Sequence, residues 1–243
     1  MKTSEYIEDK INKLPKGYVF TYIDFMNEVT RREAIIKHLN RMAASNKINK
    51  LSKGKYFKPQ KTVFGTLLPD QHQIVKDLLE EDGKLVGYIT GYSVYNSLGL
   101  TTQVSSTIQI GKREIRPSFK RGRFRISFIK QKNTINKENI PLLRLLDVIR
   151  YIKKIPDTTI EKSCIRLMVL LRELKTTEQI KLIKLAFKYS PATRALLGAL
   201  LKEIGCKVET ELRDLQDSLN PITVYNFDIS EKLLSNAKYW NIK

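Results

Sequence analysis

Cysteine and histidine are scarce in this chain: Cys164, Cys206, His38 and His72 are the whole supply in 243 residues. Two cysteines are too few for a disulfide framework, and neither has a clustered partner for a metal site, which fits a reducing compartment. Both thiols are expected to be buried apolar groups. Neither histidine has a cysteine or carboxylate at ligand spacing, so no metal is expected; His38 should pack beside the buried stripe of its helix and His72 should lie exposed. No stretch approaches the roughly 20 apolar residues of a membrane span. The start, Met1-Lys2-Thr3-Ser4-Glu5, lacks the apolar core of an export signal, so a cytoplasmic protein with no membrane partner is expected. A Walker-type phosphate loop, a dinucleotide-binding glycine cluster and a nucleophile elbow are all missing. Glu80-Glu81-Asp82 reads as a solvated charge run at a helix end. No catalytic residue and no cofactor is expected, and the chain reads as a non-enzyme.

Acidic residues are also in short supply. Lys and Arg number 44 against 25 Asp and Glu, a net charge of +19, which makes polyanions the natural partners. The excess is uneven: residues 1–60 hold thirteen basic and six acidic side chains, residues 61–110 three and five, and residues 111–137 ten and one. Two separate electropositive surfaces are therefore expected. With 42% hydrophobic and 9% aromatic residues there is material for real cores, and the length suits two modest domains.

The first sixty residues have a distinctive order. Ser4 can cap a helix to about Leu14 with Tyr6, Ile7, Ile11 and Leu14 on one face, stopped by Pro15-Lys16-Gly17. Tyr18-Val19-Phe20 follows as a short β run. Thr21 is a good cap for a second helix carrying Ile23, Phe25, Met26 and Val29, and Thr30 for a third. In the third, Ile35, Leu39 and Met42 make the buried stripe, while Arg32, Lys37, Asn40 and Arg41 fall elsewhere. Ile48 to Phe57 reads as a hairpin turning at Ser52-Lys53-Gly54-Lys55. This is the order of a winged helix-turn-helix, a fold that lays a helix in the major groove and a wing beside it. Arg31, Arg32, Lys37, Asn40 and Arg41 on the helix, with Lys53 and Lys55 on the wing, are the candidate DNA-binding residues.

Pro59 ends the hairpin, and Gln60-Lys61-Thr62-Val63 reads as a linker to a domain opening near Phe64. The expected division is 1–60 and 64–243, the latter sheet-rich over 86–130 and helical over 139–220. Pro69 to Glu81 reads as a helix, Val86 to Thr90 as a strand, and Ser93 to Leu98 as a short helix stopped by Gly99. Period-two alternation from Thr101 to Ile129 predicts three strands, one of them at Glu114-Ile115-Arg116. Helices are predicted at 141–155, 159–173, 177–188, 191–204 and 208–219, with a last strand at 222–227. The fold class is α+β: a winged helix followed by a larger domain with a small, mostly antiparallel sheet and a helical C-terminal region.

Lys112, Arg113, Lys120, Arg121, Arg123 and Arg125 form the second basic block, interleaved with aromatics as a polyanion or unpaired-base surface would be. The same spacing equally describes a solvated sheet face with Phe124, Ile126 and Phe128 turned inward.

Two blocks together resemble the AbiEi-type antitoxins of bacterial toxin–antitoxin and phage-defence pairs. The first is Gly17-Tyr18-Val19-Phe20-Thr21 with Asp24-Phe25, then Lys50 through Gly54-Lys55-Tyr56-Phe57-Lys58-Pro59. The second is Gly87-Tyr88-Ile89-Thr90-Gly91, then Leu98-Gly99-Leu100-Thr101-Thr102-Gln103-Val104. The resemblance runs over about residues 1–130. It implies an autoregulating repressor that binds double-stranded DNA of its own promoter through the winged helix, while the larger domain neutralises a nucleotidyltransferase-like toxin. Direct binding of the toxin, opposition at its RNA target and reversal of its modification are all compatible with it. The alternative reading is a winged-helix transcription factor with a ligand-sensing C-terminal domain and no toxin partner. A nucleic-acid-modifying enzyme would need a buried acidic or histidine cluster.

Overall fold

The computed structural model describes residues 3–27, 29 and 31–243. Its fold is α+β, and the chain divides into two compact units, Met1–Leu78 with Phe119–Arg125, and Leu79–Ser118 with Ile126–Lys243. The boundary expected at 60–64 thus falls inside the first unit.

In the first unit α1 (Thr3–Lys13) buries Ile7 and Ile11, the two positions its helical spacing puts on one face. β1 (Val19–Phe20) follows, then a single 3-10 turn at Tyr22–Phe25 and α2 (Arg32–Ala44), whose Ile35, Leu39 and Met42 are buried. The helix expected after Thr21 is this one short turn. A capping box starts it, with the Thr21 hydroxyl accepting from Ile23 N–H and the Asp24 carboxylate accepting from Thr21 N–H. Of its apolar residues only Phe25 and Val29 are buried, while Ile23 is 62% exposed, so no buried face extends it. The cap expected at Thr30 lies outside the described residues; Arg31 is the residue flanking α2.

β2 (Asn49–Ser52) and β3 (Lys55–Phe57) pair antiparallel, and β1 pairs with the other edge of β3, giving the order β1-β3-β2. Phe20 stacks on Tyr56 and meets the Phe25 ring edge-on, which joins sheet and helices in one core. The expected linker is instead a second small hairpin, β4 (Gln60–Thr62) and β5 (Gly65–Leu67), with Phe64 almost fully exposed at its turn rather than opening a domain. α3 (Gln71–Leu79) buries Ile74 and Val75, and its Gln73 side chain accepts from Val19 N–H.

The second unit begins with the two-residue strands β6 (Glu80–Glu81) and β7 (Lys84–Leu85). β8 (Gly87–Thr90) runs into the short helix α4 (Tyr92–Tyr95), and β9 (Thr107–Lys112) pairs antiparallel with β8. Glu114-Ile115-Arg116, expected as a strand, is exposed loop. β10 (Phe119–Arg121) belongs to the first unit, and β11 (Phe124–Lys130) starts there and continues into the second, where it lies beside β9. Along β11 Phe124 and Ile126 are buried, but Ile129 replaces Phe128 as the next fully buried position.

Helices α5 (Asn139–Arg150), α6 (Ile160–Arg172), α7 (Thr176–Ala186), α8 (Pro191–Glu203) and α9 (Glu209–Asp217) pack the main core around Leu143, Leu146, Leu167, Leu182 and Leu197. Thr159 and Ser190 cap α6 and α8 with their hydroxyls, and Pro191 takes the first position of α8, where a missing N–H costs nothing. The strand expected at 222–227 is reduced to one bridge between Tyr225 and Ile242. Among the described residues no helix is long and apolar enough to cross a membrane.

Candidate nucleic-acid interface

Burial of Ile35, Leu39 and Met42 turns the opposite face of α2 outward. Glu33, Lys37, Asn40, Arg41 and Ala44 line a shallow depression there with Ile36. Lys37 and Arg41 are exposed one turn apart, and Arg32 is exposed at the start of the helix. Asn40 is partly committed: its Oδ1 accepts from Tyr56 Oη at 2.7 Å, which leaves its amide nitrogen as the donor group. Arg32 stacks over the Tyr22 ring at 4.6 Å, so the 3-10 turn holds its guanidinium at the helix start beside exposed Arg31.

The β2–β3 turn divides its two lysines. Lys53 is exposed at the tip, beside Gly54 at φ 75°, a conformation that suits glycine. Lys55 is not at the tip: its Nζ lies 3.1 Å from Asp77 Oδ2 and its side chain is only 19% exposed. This corrects its assignment as a wing cation free to meet phosphate, because an ion pair within the unit already uses its charge.

Asp77 also corrects the second basic block. Arg121 is 6% exposed and holds Asp77 at both oxygens, Nη1–Oδ1 at 2.6 Å and Nη2–Oδ2 at 3.0 Å, while Nη1 also donates to the Ile74 carbonyl at 2.7 Å. Burial raises the Asp77 carboxyl, but the hydrogen bonds and charge of Arg121, with those of Lys55, outweigh it and hold the group below the ordinary carboxylate value. Arg121 is therefore a buried clamp, not a surface cation. Lys120, Arg123 and Arg125 around it are exposed. Arg123 lies over the Phe124 ring at 5.2 Å.

Gly122, at φ 58°, turns this hairpin, and a Cβ there would stand 3.3 Å from the Leu51 carbonyl of β2. The hairpin thus sits against the β2 strand, and three exposed cations of the second block join the first unit. Lys112 and Arg113 belong to the other unit, Lys112 paired with Glu81 at 2.7 Å. The block is consequently divided between the two units. The first unit carries nineteen Lys and Arg against eight Asp and Glu, or +11, more than half of the chain's +19.

His38 lies 3.5 Å from Glu8, half-buried, and burial lowers its pKa against the opposing pull of Glu8. Cys164 is buried and its thiol is pushed up to about 12; Cys206 is only partly buried, unlike the expectation for both. Among the described residues no group of three or more His, Cys, Asp or Glu is placed to hold a metal ion.

The second unit contains a buried polar network that sequence reading missed. Asp147, fully buried on α5, accepts from Tyr88 Oη at 2.6 Å, Thr90 Oγ1 at 2.8 Å and Tyr189 Oη at 2.9 Å. Gln131 Nε2 donates to both phenol oxygens at 2.8 Å, while its Oε1 accepts from Asn133 N–H. A backbone N–H can only donate, so the Gln131 amide orientation is fixed and both phenol protons must point at Asp147. Burial raises the Asp147 carboxyl above its ordinary range against the pull of these three donors. The Gly87–Gly91 block thereby has an architectural role: Tyr88 and Thr90, alternating on β8, tie the sheet to α5. The legible signal was one carboxylate in the largely apolar stretch Leu142 to Ile149, whose other charged residue is Arg144.

The solved structure of the Rv2827c protein from Mycobacterium tuberculosis is similar to this one, with a TM-score of 0.63 and 11% identity over 99% of this chain and 90% of that one, a likeness of fold alone. No curated protein matches the sequence. Residues 6–182 match DUF6088, and with most of its length so matched the chain belongs to that family of unknown function.

Proposed function

We infer that this protein is a DNA-binding regulator that represses its own promoter through a winged-helix first unit and acts as the antitoxin of a toxin–antitoxin pair. One observation carries the DNA-binding half: α2 exposes Lys37, Asn40 and Arg41 beside a three-stranded sheet, on a unit of net charge +11. A cationic helix of this width suits the major groove, and Arg or Lys reads guanine while an Asn amide reads adenine. The cations of Lys53, Lys120 and Arg123 would add phosphate contacts that position the helix without reading sequence. The antitoxin half rests on the resemblance of the Gly17–Pro59 and Gly87–Val104 blocks.

Two assays test the two halves. The full chain is titrated into duplex DNA from upstream of its own gene, and it is co-expressed with a nucleotidyltransferase-like reading frame from beside that gene. Binding to the upstream duplex in preference to a scrambled one, with restored growth, is the expected result. Failure of both overturns the reading, and DNA binding without rescue leaves a transcription factor that is no antitoxin.

A further inference from the structure

Outside the candidate DNA interface, the second unit carries a built pocket of about 420 Å³, within the size range of small-molecule sites. Leu85, Val86 and Ile135 supply its apolar lining. Opposite in character are Arg113, Lys132 and Lys188, exposed cations for which no ion-pair partner exists among the described residues. Lys112 also lines the pocket, but Glu81 neutralises it at 2.7 Å. Glu114 is the one opposing carboxylate left at the rim.

Asn133 makes this more than a patch of surface lysines. It is 6% exposed yet lines the pocket, and it is held twice: its N–H donates to Gln131 Oε1 at 2.8 Å and its Nδ2 to the Leu185 carbonyl at 3.0 Å. Its side-chain oxygen is then a rigid acceptor whose amide cannot turn over without losing the bond to Leu185. The Gln131 end of this arrangement is anchored in the Asp147 network, so the acceptor is preorganised from the core outward.

We propose that this pocket binds a nucleoside monophosphate, or a ligand of the same chemistry: a phosphomonoester on a planar body that carries an amino group. Arg113, Lys132 and Lys188 take the phosphate by charge-assisted hydrogen bonds. Leu85, Val86 and Ile135 cover the planar body, and Asn133 Oδ1 accepts from the amino group. All these residues lie in the second unit, whereas α2 belongs to the first, so the two binding activities can be assayed separately.

Isothermal titration of the full chain with AMP tests this, with adenosine and inorganic phosphate as the two half-ligands. AMP should saturate one site, and each half-ligand should bind at least about tenfold more weakly. Lys132→Gln with Lys188→Gln should cost about tenfold or more in AMP affinity, as loss of charged hydrogen bonds does. Glu114→Gln should tighten AMP binding, a gain that misfolding cannot mimic. No saturable AMP binding, binding unmoved by both variants, or phosphate binding as tightly as AMP would each overturn the proposal.

Discussion

Arg121 grips Asp77 with both guanidinium nitrogens, at 2.6 and 3.0 Å, although 44 residues separate the two in the chain. This fork joins the hairpin turning at Gly122 to α3, and Lys55 of β3 meets the same carboxylate. Two segments distant in sequence are thereby held on one basic unit. A fragment ending at residue 60 would lack the clamp and leave Lys55 without its partner.

Arg121→Leu should therefore destabilise the protein by about 2 kcal/mol, since it leaves Asp77 with one cation in place of two and removes the side-chain donor to the Ile74 carbonyl. Its pH dependence has a definite sign. The folded Asp77 carboxyl sits below its ordinary value of 3.8, so the stabilisation is complete above that value and is lost as pH falls through the lower folded one. Urea denaturation from neutral to strongly acidic pH should show the gap between native protein and Asp77→Asn closing only below that ordinary value.

Lys37→Ala with Arg41→Ala should weaken promoter binding by about tenfold or more without moving the melting temperature, because both residues are exposed and support no packing. Lys53→Ala should reduce the salt slope by about one and affect all DNA sequences alike. Lys55→Ala should instead lower stability, since its charge is spent on Asp77. Anisotropy titrations paired with thermal melts separate the two lysines.

Asp147→Asn is isosteric, yet it should cost about 1–3 kcal/mol. The new amide nitrogen donates towards a hydroxyl that already receives a hydrogen bond, from Gln131 in the case of either phenol, and the proton of that hydroxyl is left without an acceptor. Gly111→Ala should cost a similar amount, about 1–3 kcal/mol, by overpacking, because a Cβ there would stand 2.5 Å from the Tyr88 ring. Denaturant titration of each variant checks both values.

Thiol titration separates the two cysteines. Cys206 should react with an aromatic disulfide reagent in the native protein and Cys164 only after unfolding, because Cys164 is buried and its thiol is raised to about 12. Equal native reactivity of both would contradict the packing of α6.

Much of this architecture is legible in local pattern, because helices such as α2 and α8 carry both their caps or stripes and their apolar period in a short window. What escaped is tertiary. The seven cations of residues 112–125 look alike in sequence, and only Asp77, distant in the chain, distinguishes buried Arg121 from exposed Lys120 and Arg123. The helix expected after Thr21 is shorter for the opposite reason: Ile23 and Met26 have apolar spacing but are exposed, and the 3-10 turn ends at Phe25. Gln60–Leu67 looks like linker because its exposed strands have no buried side to give them a period.

The most direct test of the central claim is the salt dependence of binding between the full chain and its own promoter duplex. If about six phosphates are neutralised, log affinity should fall linearly with log salt at a slope near −5, and Lys120→Ala with Arg123→Ala should flatten it by about two. Preference for the promoter over scrambled duplex should vanish in Lys37→Ala with Arg41→Ala. Absence of duplex binding at low salt, or a slope and preference untouched by these substitutions, would contradict the account.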